Sequence, residues 1–188
     1  MTNKFFTSDL HFFHKNIIKY TGRPWEFEDQ TEELISRWNS RVGVMDEVYH
    51  LGDFAFASAK QTNKVADIIK QLNGVIHFIK GNHCDDRMWR MIRDQNIAHI
   101  AWVRDYAEIR VDHQKVILCH YPFETWNGAH HGSWHLHGHC HGSLPAVGKR
   151  LDVGIDNHPE FQVFSWDEVK EHMAKQEFVV KDHHTGER

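Results

Sequence analysis

Lys4-Phe5-Phe6-Thr7-Ser8-Asp9-Leu10-His11 is the stretch from which the rest of the chain is read. Its first half, Lys4 to Ser8, has the apolar and aromatic character of a strand, and its second half offers two metal-ligand side chains, Asp9 and His11. In extended backbone, residues i and i+2 point to one side, so this spacing lets both serve a single site. The same event recurs along the chain. Glu47 to Leu51 runs into Gly52-Asp53, Val75 to Lys80 into Gly81-Asn82-His83, and Lys115 to Cys119 into His120; Gly138-His139-Cys140-His141 closes the series. Runs this rich in β-branched and aromatic residues read as buried strands. Their polar residues therefore gather at the carboxyl ends of strands, the edge where open α/β sheets place ligands. Glycines at 52, 81 and 138 permit tight turns and close backbone approach where each ligand must be aimed.

The blocks supply two carboxylates, an amide and several imidazoles. Such an oxygen and nitrogen set suits two borderline transition-metal ions sharing one carboxylate. A single Asp, His or Asn at a strand end is usually a turn former; it is the ordered series that carries information. In order over residues 9 to 141, D-x-H, G-D, G-N-H, H and G-H-x-H resemble the pattern of the calcineurin-like metallophosphoesterase superfamily. The Asn16-Ile17-Ile18 loop and the Trp126 to Trp134 segment look like its small bacterial or bacteriophage members.

That resemblance implies an α/β fold of two packed mixed β-sheets flanked by helices, a four-layer sandwich. One metal would be held by Asp9, His11, Asp53 and His141, the other by Asp53, Asn82, His120 and His139, with Asp53 bridging and so catalytic. His83 matches the histidine that contacts the phosphate and protonates the leaving oxygen. The family places an acidic residue directly after it. Here Cys84 takes that place, with Asp85 and Asp86 next as replacements for the orienting role.

The chemistry follows from the ions. Two cations roughly 3.5 to 4 Å apart clamp the attacking and leaving oxygens of an in-line displacement, and metal-bound water falls from a pKa of about 15.7 to about 7. A bridging hydroxide is then available near neutral pH to attack phosphorus directly, without a phospho-enzyme. The expected activity is hydrolysis of a phosphodiester or phosphomonoester of nucleotide type. Manganese is the first expectation for the two divalent ions, while Fe, Zn, Ni and Co also suit the donor set. The contrasting reading is a non-catalytic scaffold that keeps the fold and acts through protein-protein binding; a broken ligand set or a missing His83 would mark it, and the sequence has neither.

Four further residues are candidates for substrate contact. His14 and Asn16 follow the first ligand pair and can reach the substrate or cap the next helix. Arg23 precedes Pro24 and offers a two-point match to phosphate oxygens. His131 sits in the segment from Trp126 to Trp134, which suits either a loop over the site or core filling by its tryptophans.

At 188 residues the chain is expected to form one domain over 1–180, with a polar, flexible tail at 181–188 that contains His183 and His184. No apolar run approaches the roughly 20 residues that span a bilayer, and the start at Met1 lacks a secretory pattern, so a cytoplasmic protein without membrane partners is expected. Three cysteines, Cys84, Cys119 and Cys140, form no disulfide framework and read as small packed residues. A net charge of -4 excludes non-specific electrostatic binding of nucleic acid but leaves it open as a substrate beside small phosphoesters and nucleotides. Nothing in the sequence sets an oligomeric state.

Periodicity predicts helices over 29–40, opened by Asp29 and Glu32, over 58–72 and over 85–95. An antiparallel hairpin is expected over 100–119, short strands near 151–155 and 161–164, and a last helix from Ser165 and Glu168 to about 175.

Overall fold

The computed structural model describes residues 2–83 and 85–179; Cys84 and the expected tail at 181–188, with His183 and His184, lie outside the described residues. Two mixed sheets form the centre. The first contains β1 (Lys4–Thr7), β2 (Glu47–Leu51), β3 (Val75–Ile79), β4 (Ile100–Arg104) and, far along the chain, β9 (Phe164–Ser165), in the order β4-β3-β2-β1-β9. β1 to β4 are parallel and β9 is antiparallel to β1. The second contains β5 (Tyr106–Val111), β6 (Gln114–Cys119), β7 (Trp134–His137) and β8 (Arg150–Asp152) in chain order; β6, β7 and β8 are parallel and β5 is antiparallel.

Side-chain alternation in the first sheet builds two cores. Phe5, Val48, Ile76 and Phe78 pack with Leu34 and Trp38 of α2 (Gln30–Arg41), Val65 and Ile69 of α3 (Thr62–Gln71), and Met88 and Trp89 of α4 (Asp86–Asp94). Phe6, Tyr49, Leu51 and Ile79 pack instead with Val111, Val116, Leu118 and Leu136 of the second sheet and with Trp166, Val169 and Met173 of a C-terminal helix, Trp166–Lys175. Burial on both faces is why these strands read as unbroken apolar runs rather than alternating ones. Each such side chain taken fully out of water contributes about 1.5 to 3 kcal/mol.

Ser165 and Glu168 form the reciprocal cap expected at the start of that C-terminal helix. Asp29 makes no such bond at α2. The 58–72 helix is split into a 3-10 turn, Ala59–Gln61, followed by α3. Two short segments differ from expectation. Only residues 106 to 119 form the hairpin, with Asp112 and His113 in left-handed conformation at its turn, whereas β4 lies parallel to β3 in the other sheet. The open edge of β3 draws β4 in through a long-range pairing that local pattern does not reveal. After β8, Gly154 bridges to Ser8 and Ile155–Asn157 turns in a 3-10 helix, so the strand expected at 151–155 stops early and the next is confined to β9. No helix among the described residues is long and apolar enough to cross a membrane.

Candidate metal centre

Every ligand block follows the carboxyl end of a strand: Asp9 and His11 after β1, Asp53 after β2, Asn82 and His83 after β3, His120 after β6, His139 and His141 after β7. Backbone bonds stitch these ends together. Asp9 N–H donates to Gly52 O and His11 N–H to Asp53 O, each at 3.0 Å, and Gly138 N–H donates to His120 O at 3.0 Å. The paired ligands converge by a different route from the extended backbone expected. Asp9, His11, Asp53, His139 and His141 have φ of 59°, 52°, 54°, 70° and 46°, because the pleat ends at Thr7 and His137 and the ligands stand in turns beyond it. Left-handed backbone costs an L-residue roughly 1 to 2 kcal/mol, and such strain concentrates where surrounding structure holds a functional geometry. A Cβ at Gly81 would overlap the Asp53 carboxylate, and one at Gly138 would overlap Ser8 and the Asp9 carboxylate.

Among the described residues two groups of potential ligand atoms result, Asp9 with His11 and His141, and Asp53 with His120 and His139, each with its atoms within 4.8 Å of one another. Asp53 Oδ2 joins them, 3.7 Å from His11 Nε2 and 3.4 Å from His120 Nε2. Asn82 Oδ1 lies 3.0 Å from both His120 Nε2 and His139 Nδ1. His11 Nε2 is 3.8 Å from Asp9 Oδ1, and His141 Nε2 is 4.0 Å from that oxygen. Two atoms each about 2.1 Å from a shared ion stand roughly 3 to 3.5 Å apart at ordinary coordination angles, close to this spacing.

The donor chemistry fits cations. His11 is buried, and neither ring nitrogen has a hydrogen-bond partner among the described residues. His120 donates Nδ1–H to Leu51 O at 2.8 Å, so its other nitrogen faces only the oxygens of Asn82 and Asp53. A ring nitrogen between two acceptors calls for a proton or a metal ion there. Burial opposes a charged His120, yet its bond to Asp53 and the charges of Asp9 and Asp53 raise its pKa. Burial, with the nearby Asp152 charge, pushes the Asp9 carboxyl up to about 6 against the opposing pull of His120, His141 and the Ser8 hydroxyl, and burial pushes His11 down to about 3. For Asp53, burial is outweighed by His120 and the His83 N–H, which bring it to about 2.

Around these groups lies a layer that sequence reading missed. Asp156 Oδ2 accepts His141 Nδ1–H at 2.8 Å, fixing the ring so that Nε2 faces Asp9. A carboxylate behind a ligand histidine orients it and raises its basicity. Arg23 braces that carboxylate, and here the expected phosphate clamp is corrected. Arg23 is 4% exposed, with Nε on Asp156 Oδ1, Nη1 on Leu10 O and Gln30 Oε1, and Nη2 on Asp9 O and Asp156 Oδ2. All its N–H donors are thus occupied within the fold, leaving none for a phosphate.

His131 is a second correction. It precedes β7 and lines a cavity with Gln114 and Lys115 at the start of β6, whereas His120 and His139 follow the far ends of those parallel strands. Strand length separates it from the site. Trp126 Nε1–H donates to Ser133 O and Trp134 packs on Trp166 at 5.3 Å, the core-filling alternative for that segment. His14 does stand near the centre, its ring 5.5 Å from His11, while its Nδ1 accepts Ile17 N–H at the start of α1 (Ile17–Thr21). Asn16 is exposed at the N-cap of α1 without a side-chain capping bond. His83 donates its backbone N–H to Asp53 Oδ1 at 2.9 Å, with its ring Nε2 3.9 Å from Oδ2. Neither expected acidic replacement turns toward it: Asp85 caps α4 through Arg87 N–H, and Asp86 pairs with Lys80. Cys119 is buried beside His120, as a small packed residue should be.

No family model matches the chain. It is 34% identical over 142 residues to an uncharacterized protein of Methanocaldococcus jannaschii, covering 75% of this chain and 70% of that one. To the Gene 66 protein of Mycobacterium phage D29 it is 30% identical over 196 residues, covering 91% of this chain and 96% of the phage protein. The chain belongs to one family with the Gene 66 proteins, and it has the calcineurin-like metallophosphoesterase fold. Among solved structures it is similar to a protein of unknown function from Aquifex aeolicus, with TM-score 0.69 and 21% identity, covering 92% of this chain and 100% of that one. An archaeal phosphodiesterase shares the fold at TM-score 0.51 and 18% identity, covering 81% and 82%. A shared fold leaves the chemistry to be argued from the site.

Proposed function

We propose that the chain is a phosphoesterase dependent on two divalent transition-metal ions, manganese first among them. Asp9, His11, Asp53 and His141 would hold one ion, and Asp53, Asn82, His120 and His139 the other. One observation carries this reading: His11, buried with neither ring nitrogen hydrogen-bonded among the described residues, and His120 Nε2, set between the oxygens of Asn82 and Asp53, flank the Asp53 carboxylate from two sides. Bound there, such ions supply Lewis acidity toward phosphate oxygens and acidify a water for direct attack on phosphorus.

The chain's own groups do the positioning. The left-handed turns and their backbone bonds hold the donors before substrate arrives, so no reorganisation is needed during reaction. His83, with 37% of its side chain exposed, stands at the open rim and protonates the departing oxygen. His139 is exposed as well, so the centre is open to a phosphate carrying sizeable groups such as nucleosides. The archaeal phosphodiesterase of the same fold supports a diester as the first substrate to try.

Asp53→Asn is the decisive variant, since it removes a charge both ions share. On a chromogenic phosphodiester with Mn²⁺ we expect it to lose about 1,000-fold in kcat or more, several kcal/mol of transition-state stabilisation. Elemental analysis of metal-replete wild type should find two ions per chain. Wild-type-like turnover by the variant, or no stoichiometric uptake, would overturn the reading.

A further inference from the structure

Phe56 is a large ring left in water beside the centre, 50% exposed. Its backbone is held: Phe56 N–H donates to Phe12 O at 2.8 Å, and Phe12 and Ala55 form a parallel bridge, so the segments after β1 and β2 are joined. The ring lies 5.4 Å from that of His83 and 4.8 Å from that of His14. With Phe13, Ala57, Ser58 and Gln61 it lines an open cavity of about 470 Å³ whose wall includes His83. That volume falls among those of small-molecule sites, roughly 300 to 1,000 Å³. Core packing does not explain an aromatic ring displayed in this way, whereas a planar ligand does.

We infer that Phe56 is the stacking platform for a nucleobase carried on the leaving alcohol, which makes the substrate class a nucleotide phosphoester with a base on its leaving side. The inference rests on the phosphoesterase reading, in which His83 protonates the departing oxygen. Phe56 packs against His83, whereas Tyr121 is the aromatic neighbour of His120 and His139, at 5.1 and 5.0 Å. The group above Phe56 is therefore the one joined to the departing oxygen. A base fits this cavity better than an alkyl chain. Phe56 and Phe13 offer flat apolar faces, and at the rim Ser58 Oγ–H is bonded to Gln61 Oε1 at 3.0 Å, a polar edge matching that of a heterocycle.

The test compares a dinucleotide with the same molecule lacking its leaving-side base, using wild type, Phe56→Ala and Phe56→Trp. Wild type should prefer the dinucleotide. Phe56→Ala should reduce that preference roughly 5- to 100-fold, through KM rather than kcat, and Phe56→Trp should retain it. Adenosine binding followed by saturation-transfer NMR gives a readout without turnover: present in wild type and Phe56→Trp, lost in Phe56→Ala. A single-stranded oligonucleotide run alongside shows whether the base belongs to a small nucleotide or to a nucleic acid. Equal preference in all three proteins, adenosine binding untouched by Phe56→Ala, or an octyl leaving group gaining as much as adenine would overturn the platform. Absence of any turnover by wild type would instead remove the phosphoesterase reading, and the adenosine measurement then decides the platform by itself.

Discussion

His11 and His135 are both buried, at 2% and 0% exposure, and their surroundings could hardly differ more. His135, midway along the second sheet, places Nδ1 on Ile117 O at 3.1 Å and Nε2 between Phe123 N and Tyr121 O, while its ring stacks on Phe123 at 4.9 Å. His11, past the end of β1, has neither nitrogen engaged and has carboxylate oxygens on two sides. The contrast shows that a histidine's abundance or burial says little about its role. Its position relative to the carboxyl end of the strand, and whether backbone has already used its nitrogens, say much more.

The largest test exchanges the two. His135→Ala removes partners from buried backbone groups and leaves a cavity, so it should lower unfolding free energy by about 2 to 4 kcal/mol in urea titration. His11→Ala should weaken metal uptake far more than it weakens the metal-free fold. If His11→Ala proves the more destabilising without metal, the contrast fails.

Acidification sharpens the same comparison. Burial lowers both His135 and His50 from 6.5 to about 3. Below 6.5 the unfolded imidazoles take protons that the folded ones refuse, so stability is full above that pH and declines toward about 3, by roughly 1.4 kcal/mol per pH unit for each ring. In metal-free protein, Asp9 works the opposite way between about 6 and 3.8, since burial makes its folded carboxyl the better proton binder. His11, which burial also lowers to about 3, adds to the loss in metal-free protein, so three imidazoles against one carboxyl leave a net loss. Stability that is flat or rising from pH 6.5 to 5 in denaturant melts would break this account.

Asp156→Asn probes the support behind His141. It should weaken metal affinity about 10- to 100-fold, read by competition with a chelator, because the ligand ring loses its carboxylate acceptor. The smallest effect is expected at the amino ends of the strands, where His131→Ala should change stability by no more than about 0.5 kcal/mol and leave turnover unaltered.

Much of this was legible along the chain. The polar blocks ending apolar runs pointed to one edge, and the residues 30–41, 62–71, 86–94 and 166–175 are helical close to where periodicity put them. What escaped was non-local. Arg23 meets Asp156 across 133 positions, and neither residue carries a nearby pattern that foretells the partner. Arg23 before Pro24 read as a two-point match to phosphate oxygens, but burial assigned its guanidinium to two backbone carbonyls and a carboxylate. The hairpin boundary near residue 105 was missed for the same reason, since β4 joins β3 by long-range pairing.

Local order determined which residues arrive at strand ends, because chain geometry and hydrophobic patterning act over a few neighbours and are written into consecutive positions. Tertiary structure decided which of those residues converge, which imidazoles keep a nitrogen free, and that Phe56 stands beside His83. Convergence depends on the relative placement of two sheets and on left-handed turns, and these are set by packing and hydrogen bonds between segments more than a hundred residues apart.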